Sequence, residues 1–373
     1  MTPSIDAAEL VRLRLRSQGL TDRSARAPRD AVRRLLAMQA QDFAAALWAI
    51  GVRVEGATVA SVMRALEDGH LVRSWPMRGT LHFVAAEDLG WMLGLCTPRV
   101  LRSMATRHRG LDLDEAVFRA SRALAERLLS GGGRASREEF LAALEAGGIA
   151  TAGQRGYHII AYLAMTGTLC WGPAKGTQQA LVLVEEWIRT PRALDREEAL
   201  GELVARYVSG HGPATLQDFL WWSKLTVADA KIGFAVAAGA LAPLTHAGVT
   251  YWATRERLDE AASAAPIAAG AVMALPGFDE HLLGYTDRDL VLPREHAAKI
   301  VPGANGIFLS LITVDGIIVG TWRRAAKGGA VVVTPAPFSR MSARTAKGFA
   351  SAVSAYAAFL GVAGSVAPAP QGA

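Results

Sequence analysis

Cysteine and long apolar runs are both scarce in this chain of 373 residues. The two cysteines, Cys96 and Cys170, lie far apart and form no CxxC pair, which argues against a structural zinc site and, in a reducing cytosol, against a disulfide. No apolar run reaches the ~20 residues of a membrane-spanning helix. The stretch from Met1 to Arg16 is amphipathic and lacks an apolar signal core. We therefore expect a cytoplasmic protein with no membrane contact, no bound metal and no cofactor.

Lysine is missing from the first part of the chain, because no lysine precedes Lys175. Chemistry through a Schiff base needs a side-chain amine. The amino-terminal part excludes such chemistry unless a distant lysine reaches it. Arginine supplies the basic charge instead, and its planar fork suits phosphate and guanine, although a GC-rich coding sequence would give the same excess.

The composition is that of a folded, basic protein. Charged residues make up 20% of the chain and apolar residues 51%, so a large core is possible. The formal net charge is +6, which suits a polyanionic partner such as DNA but also occurs by chance in proteins with other partners. The length exceeds that of one ordinary domain.

One structural unit recurs three times: helices, then a last helix that ends near a glycine, then two β runs joined by a turn. Glycine suits the left-handed position that stops a helix. This order predicts three tandem winged-helix modules in an α+β protein. The clearest parts of the three copies are residues 61–84, 158–184 and 231–254, with stops at Gly69, Gly167 and Gly239.

Two capping boxes support helices upstream of the second and third copies: Ser136 with Glu139, and Thr215 with Asp218. After Asp259 the pattern changes to short β runs at 272–275, 290–292, 307–314, 317–322 and 330–334, with a hairpin turn at Asp315 and a helix over 342–360. This predicts a C-terminal β-barrel-like domain. The expected domains are 1–112, 113–194 and 195–260 for the three modules and 268–373 for the β domain.

The strongest candidate for chemistry is the pair Gln39 and Gln41. Residues two apart point away from each other in a helix but share a face in an extended segment. We therefore expect a helix that ends around Met38 and an extended chain at Ala40. Asp42 is predicted to cap the next helix, over 43–50, and is the alternative general base. A short QxQ motif by itself is weak evidence.

The predicted wing of the first module supplies the next candidates. Arg73 and Arg78 could contact phosphates, while Thr80 and His82 alternate along one strand face and could line a cleft. The alternative for His82 is a structural hydrogen bond. Trp75 is interpreted as a core residue rather than a base-stacking wedge.

Two further groups lie in the C-terminal region. Arg323 and Arg324 follow the predicted hairpin and could grip a duplex, or could be an ordinary solvated strand end. Asp279 and Glu280 offer two carboxylates, but no metal-ligating neighbours surround them in the sequence, so we interpret both as structural.

Taken together, the repeated modules, Gln39 and Gln41, and the segment from Arg78 to His82 resemble the bacterial winged-helix DNA glycosylases of the AlkZ-like and YcaQ-like family. The segments 275–280 and 315–324 are similar to that family too, so the resemblance spans nearly the whole chain. It implies that Gln39 and Gln41 are the catalytic pair, in the form of the AlkZ branch. It also implies excision of N7-alkylguanine and unhooking of interstrand crosslinks in double-stranded DNA, as repair or as self-resistance in an antibiotic producer.

The chemistry of such a lesion is consistent with glutamine. Alkylation at N7 makes guanine cationic and a good leaving group, so no strong acid is required. A glutamine amide does not titrate near neutrality, but it can hold a water molecule. We expect a monomeric, monofunctional glycosylase. The alternatives are a non-enzymatic winged-helix DNA-binding regulator, disfavoured because the last helices of the first and third copies carry few residues able to read bases, and a protein that sequesters free drug.

Overall fold

The computed structural model describes residues 2–176, 178–265, 269–304 and 306–369. Helices and strands alternate, which confirms the α+β class. Short 3₁₀ turns join them at Ala86–Asp88, Ala238–Ala240, Arg294–His296 and Pro302–Ala304. The helices are α1 (Ala7–Ser17), α2 (Pro28–Leu35), α3 (Phe43–Gly51), α4 (Val59–Glu67), α5 (Leu89–Arg109), α6 (Glu115–Leu129), α7 (Arg137–Ala146), α8 (Arg155–Met165), α9 (Val184–Trp187), α10 (Arg196–His211), α11 (Leu216–Ser223), α12 (Val227–Ala237), α13 (Arg255–Ser263), α14 (Glu280–Leu283), α15 (Ala297–Ile300) and α16 (Ala343–Leu360).

Within the described residues, the strands form three sheets. The first two predicted wings join into one five-stranded sheet of order β1-β3-β2-β4-β5, the third stays a two-stranded hairpin β6-β7, and the C-terminal region forms an open sheet of order β12-β11-β10-β9-β8. The strands are β1 (Ala37–Gln39), β2 (Leu71–Met77), β3 (Thr80–Ala85), β4 (Leu169–Lys175), β5 (Gln178–Leu183), β6 (Leu241–His246), β7 (Val249–Thr254), β8 (Val272–Leu275), β9 (Ser310–Val314), β10 (Ile317–Lys327), β11 (Ala330–Pro337) and β12 (Ala363–Val366).

The junction between the first two wings is an antiparallel pairing of β2 with β4, in register at Arg73 and Trp171. These residues lie almost a hundred positions apart, so periodicity along the chain could not reveal the contact. The joined sheet places the predicted wing of the first module beside that of the second. Surfaces that cross this junction are therefore built from both segments.

The glycine stops are right in two copies and wrong in the third. Gly69 and Gly167 have φ of +71° and +79°, directly after α4 and α8, and a residue with a Cβ would be strained there. Gly239 instead lies within the 3₁₀ turn Ala238–Ala240 and has no positive φ. Both capping boxes form: Ser136 and Glu139 exchange side-chain-to-backbone bonds at α7, and the pair at α11 does the same.

The C-terminal region differs from the sequence expectation in several respects. Strand β9 begins at Ser310 rather than at residue 307, and β12 was not expected. Residues 290–292 form no strand, because they lie in a turn region instead. Strand β10 continues to Lys327, so Arg323 and Arg324 lie within the strand rather than at its end. The expected end of the third module at residue 260 falls inside α13, which continues to Ser263. Residue 268, the expected start of the β domain, lies outside the described residues.

A shared hydrophobic core joins the C-terminal sheet to α3 and its neighbours in the amino-terminal part of the chain. Trp48 of α3 packs among buried residues of β8, β9 and α16, its indole nitrogen donates to Ala274 O at 2.8 Å, and its ring contacts Tyr356 at 5.1 Å. Burial of such aromatic surface is a major stabilising term. The segments at the two ends of the chain are therefore held together by shared apolar packing. Within the described residues, no helix combines the length and apolarity needed to span a bilayer.

Candidate functional site

Gln39 and Gln41 lie side by side in an extended segment. Helix α2 ends at Leu35, earlier than the predicted Met38, because Leu36 adopts a φ of +65°. The chain then enters β1, where Gln39 pairs with His82 and Ala40 N donates to Leu81 O at 2.7 Å. Gln39 Nε2 donates to Gln41 Oε1 at 2.6 Å. The two amides are therefore in direct contact, as an extended chain at Ala40 requires.

Asp42 caps the following helix. Its Oδ1 accepts a hydrogen bond from Ala45 N at 3.0 Å, and α3 begins at Phe43. The predicted cap is confirmed. One carboxylate oxygen of Asp42 thus accepts from a backbone N–H that has no partner within the helix. Asp42 therefore ends the extended Gln39–Gln41 segment by starting α3.

Arg78 fixes which way the amide of Gln39 faces. It occupies the tight turn between β2 and β3 with φ +58°, next to Gly79, and its Nη2 donates to Gln39 Oε1 at 2.9 Å. Arginine can only donate hydrogen bonds, so the Gln39 atom that faces it is the oxygen. Gln39 then presents its NH₂ to Gln41, whose facing atom is in turn the oxygen. The three residues form one directed chain of donors, which ends at the exposed Gln41.

His82 lies beneath this chain rather than along an open cleft. It is fully buried, which corrects the expectation that it lines the cleft. Its Nδ1 lies 2.8 Å from Thr80 O and its Nε2 lies 2.9 Å from Arg78 Nη2. Burial, with the nearby charge of Arg78, lowers the pKa of His82 to about 3. The ring is therefore neutral, with the proton on Nδ1 and with Nε2 accepting from Arg78.

Arg73 holds the backbone of the same segment. Its Nε donates to Ala40 O at 2.8 Å and its Nη2 to Gln41 O at 3.4 Å. Burial lowers the pKa of Arg73 to about 10, which the charge of Asp42 partly opposes. Both arginines proposed as phosphate contacts thus have contacts inside the protein. Trp75 is buried, as expected for a core residue.

Glu280 approaches Gln39 from a point 241 residues away in the sequence. Its Oε1 accepts from Gln39 N at 3.4 Å, and its Oε2 accepts from Trp222 Nε1 at 3.0 Å and lies 3.2 Å from His211 Nε2. Burial would raise its pKa, but the hydrogen bond and charge interaction with His211, followed by the charge of Arg78, lower it to about 2. A buried carboxylate thus balances the buried guanidinium of Arg78 beneath the amide pair.

The sequence interpretation was right for Asp279 and incomplete for Glu280. Asp279 forms a buried bidentate pair with Arg53, both contacts at 2.8 Å, which is a structural role. Glu280 instead lies beneath the site. The sequence offered no signal for this, nor for His211 and Trp222, since all three reach the site only through tertiary packing.

A cationic aromatic surface borders the site, and we call it the Trp221 shelf. The half-buried Trp221 ring has the guanidinium of Arg78 at 5.6 Å, Lys224 Nζ at 5.1 Å and the guanidinium of Arg288 at 5.1 Å from its centroid. Arg288 also lies 5.3 Å from the Phe308 ring. Cations at such distances are attracted to the ring face. The shelf therefore concentrates positive charge beside an aromatic face next to Gln39.

Arg323 and Arg324 lie on the exposed part of β10. Arg324 Nη1 donates to Tyr356 Oη at 2.6 Å, so its contact is within the C-terminal region rather than with the amide pair. The two cysteines are buried and free, and burial raises the pKa of each thiol to about 12, so neither is an activated nucleophile. In the part of the chain that the structure describes, no group of three or more His, Cys, Asp or Glu could hold a metal ion.

Comparisons with known proteins place this arrangement in context. The chain matches the family model described as "DNA glycosylase AlkZ-like" over residues 32–359. It is 28% identical over 351 residues, 87% of this chain and 89% of the relative, to the "Interstrand DNA cross-link repair glycosylase" of Streptomyces sahachiroi. It also resembles the solved structure titled "Streptomyces sahachiroi DNA glycosylase AlkZ", with a TM-score of 0.80, 24% identity, and coverage of 98% of this chain and 100% of that one. At 24% identity, the similarity to this solved structure shows that the two chains share a fold.

Proposed function

Since the chain belongs to the AlkZ-like DNA glycosylase family, we propose that it excises N7-alkylguanine and unhooks interstrand crosslinks by hydrolysing the N-glycosidic bond. Gln39 and Gln41 are the proposed catalytic residues. The curated relative is named for crosslink repair, which supports the same class of substrate here. The biological role we propose is repair or self-resistance against a DNA-alkylating natural product.

The single observation that carries this proposal is the directed hydrogen-bond chain from Arg78 through Gln39 to Gln41. Each amide oxygen accepts one hydrogen bond within the chain and keeps a second lone pair. Two fixed acceptors at adjacent positions can hold a water molecule by its hydrogens and leave the water oxygen available for attack. The amides are positioned before substrate arrives, so little reorganisation is required.

Positioning alone suffices when the leaving group is activated. An N7-alkylated guanine is cationic and departs as a neutral base without an added proton, so the enzyme needs to orient water at C1′ and stabilise an oxocarbenium-like sugar. The bond from C1′ to the base breaks, a bond from the water oxygen to C1′ forms, and the proton that this water loses passes to bulk water, because a glutamine amide cannot accept it. Most enzymes of this kind extrude the target base. A crosslinked guanine is tethered to the opposite strand, so we propose that the Gln39–Gln41 segment approaches the sugar while the base stays roughly in place.

The proposed partner is double-stranded DNA that carries an alkylated or crosslinked guanine, bound by a monomer. The Trp221 shelf supports this assignment because two of its cations, Lys224 and Arg288, suit phosphates. Arg323 and Arg324, exposed on β10, remain proposed DNA contacts. Arg73, Arg78, Thr80 and His82 were also proposed as DNA contacts, but the inward bonds of Arg73, Arg78 and His82 favour a positioning role. The proposed mechanism is monofunctional, because water rather than an amine is the nucleophile.

The decisive experiment compares Gln39→Ala and Gln41→Ala with the parent on duplexes that contain one N7-methylguanine or one N7–N7 crosslink. Losing one positioned hydrogen-bonding group typically costs on the order of 10²–10³ in rate, and we expect a loss of that size from each variant. Excision is read as strand breaks after alkali. DNA affinity should change little in both variants. The melting temperature should change little in Gln41→Ala, because Gln41 is exposed, and should fall in Gln39→Ala, because Arg78 Nη2 then loses its acceptor on Gln39.

Gln217→Ala is the matched control, since Gln217 is an exposed glutamine of α11, and it should excise at the parent rate. A carboxylate can also hold water, so Gln39→Glu and Gln41→Glu should retain part of the activity. If both alanine variants match the parent, the catalytic assignment is wrong. A parent protein that binds both duplexes but produces no abasic sites would instead indicate a non-enzymatic DNA-binding protein.

A further inference from the structure

A pocket with aromatic walls lies next to the amide pair, across the junction of the first two wings. Its volume is about 350 Å³, and its lining includes Phe43, Trp75, Tyr157 and Trp171. Pockets of this size and lining are typical of sites for small molecules with planar groups. We call it the aromatic pocket. It exists because β2 and β4 pair, which brings Trp75 and Trp171 of two different segments to one place.

The pocket shares a wall with the proposed catalytic segment. Phe43 is the second residue after Gln41, and the guanidinium of Arg73 lies 5.5 Å from the Phe43 ring centroid. The same guanidinium holds Ala40 O and Gln41 O. Arg73 thus lines the pocket and positions the catalytic segment, so a group attached to a base at Gln41 has a short path into the pocket.

The pocket also offers polar groups. Arg73 Nη1 donates to Gln179 Oε1 at 3.3 Å, which brings a cation and an amide to the pocket lining. Trp171 is 8% exposed, and its indole nitrogen is buried without an acceptor among the described residues. Buried N–H groups are usually paired, so this lining residue retains a donor that a ligand oxygen could satisfy.

Tyr157 distinguishes this site from an ordinary packed junction. Its side chain is 41% exposed, although its ring makes an edge contact with Trp75 at 6.0 Å. A junction that served only for packing would bury this ring. Tyr157 therefore presents an aromatic surface at the open side of the pocket, next to the residues that hold the Gln39–Gln41 segment.

We propose that the aromatic pocket binds a planar aromatic substituent carried by the alkylated guanine, that is, the part of an alkylating agent beyond its bond to N7. This inference rests on the proposed function and specifies the lesion class. Offset or edge contacts with the four aromatic rings hold the substituent, and Arg73 with the Trp171 N–H favours a substituent that carries an acceptor oxygen. Small lesions such as N7-methylguanine leave the pocket unused.

The test uses two duplexes that differ only at one guanine: N7-methylguanine or N7-benzylguanine. Both bases are cationic, so the bond-breaking chemistry is equivalent. The full-length parent, Tyr157→Ala and Tyr157→Phe are compared by excision kinetics and by Kd from fluorescence anisotropy. We expect Tyr157→Ala to raise the Kd for the benzyl duplex roughly 3- to 10-fold, the range for a lost aromatic contact. The Kd for the methyl duplex should not change. Tyr157→Phe keeps the ring and should restore binding.

Tyr162→Ala is the matched control. It removes a tyrosine from the same helix, α8. The Tyr162 ring stacks on the Phe118 ring with centroids 3.7 Å apart, and Tyr162 does not line the pocket. The variant should cost thermal stability without changing the ratio of the two Kd values. If Tyr157→Ala weakened binding of both duplexes equally, the inference would be overturned, because the pocket would then contact the base or the DNA in general. Unchanged binding of both duplexes would overturn it as well.

The two proposals fail separately. If the parent excises neither base, the proposed function fails, but anisotropy still reports on the pocket. A parent preference for the benzyl duplex that Tyr157→Ala removes would support the pocket even then. Excision of both bases with equal Kd values in the parent would leave the glycosylase intact and overturn the pocket.

Discussion

The guanidinium of Arg78 donates to Gln39 Oε1 at 2.9 Å from within the tight turn of the first hairpin. This contact sets the direction of the whole amide pair, because a donor-only group forces the Gln39 oxygen to face it. A wing arginine would ordinarily be assigned to phosphate. Here its bond to Gln39 makes it a positioning residue for the proposed catalytic pair.

The first prediction concerns Arg78→Lys. Both contacts of Arg78, to Gln39 and to His82, come from its terminal nitrogen Nη2. Lysine keeps the charge, but its ammonium group lacks the planar guanidinium geometry that aims these two bonds. Hydrogen bonds to charged groups are worth about 1.5–3 kcal/mol, so kcat for N7-methylguanine should fall on the order of 10- to 100-fold. The dependence of DNA affinity on salt should stay the same. Arg127→Lys, at an exposed arginine of α6 that has no role in the site, should leave kcat unchanged. If Arg78→Lys instead flattens the salt dependence with kcat intact, Arg78 is a phosphate contact.

The second prediction concerns pH and His82. Its pKa is about 3 when folded and about 6.5 when unfolded. Below pH 6.5 the unfolded chain binds a proton that the folded protein does not, so stability falls as pH decreases from about 6.5 towards 3. The loss is about 1.4 kcal/mol per pH unit. In His82→Gln this contribution is absent.

Urea unfolding measures this difference. The free energy of unfolding of the parent minus that of His82→Gln should shrink by ~2 kcal/mol between about pH 7.5 and about pH 5. A difference that stays constant with pH would mean that His82 binds protons equally well in the folded and the unfolded protein, which would contradict a lowered pKa.

The third prediction concerns Lys224. The fold brings this lysine to the Trp221 shelf, and burial together with the charges of Arg78 and Arg99 lowers its pKa. We expect no covalent protein–DNA adduct on borohydride treatment, because the proposed nucleophile is water. Lys224→Ala should keep kcat but weaken DNA binding, with the slope of log K against log salt reduced by about 0.9 for one lost phosphate contact.

The control is Lys231→Ala, which removes an exposed lysine of α12 and should change neither quantity. A borohydride-trapped adduct that disappears in Lys224→Ala would establish a lyase step through this amine. Lys224 would then be the distant lysine that reaches the site. The expectation of a monofunctional glycosylase would be wrong.

Local chemistry explains why much of the site was accessible from the sequence. The spacing of Gln39 and Gln41 has one geometry in which the amides meet, and Asp42 stops the segment by capping α3. Both relationships involve neighbours in the chain. Where local signals were ambiguous, the predictions failed: α2 ends at Leu35 because Leu36 adopts a positive φ, and no residue preference indicates that break.

The sequence by itself determined the α+β class, the capping boxes, the glycine stops after α4 and α8, and the contact between the two glutamine side chains. These depend on side-chain period and on bonds across a few residues. Only the tertiary structure decided that the first two predicted wings share a sheet and that Glu280 reaches Gln39 from 241 residues away. It also decided that Lys224 and Arg78 both lie against the ring of Trp221. Such contacts form when distant apolar faces bury each other, and that pairing leaves no periodic trace in either segment.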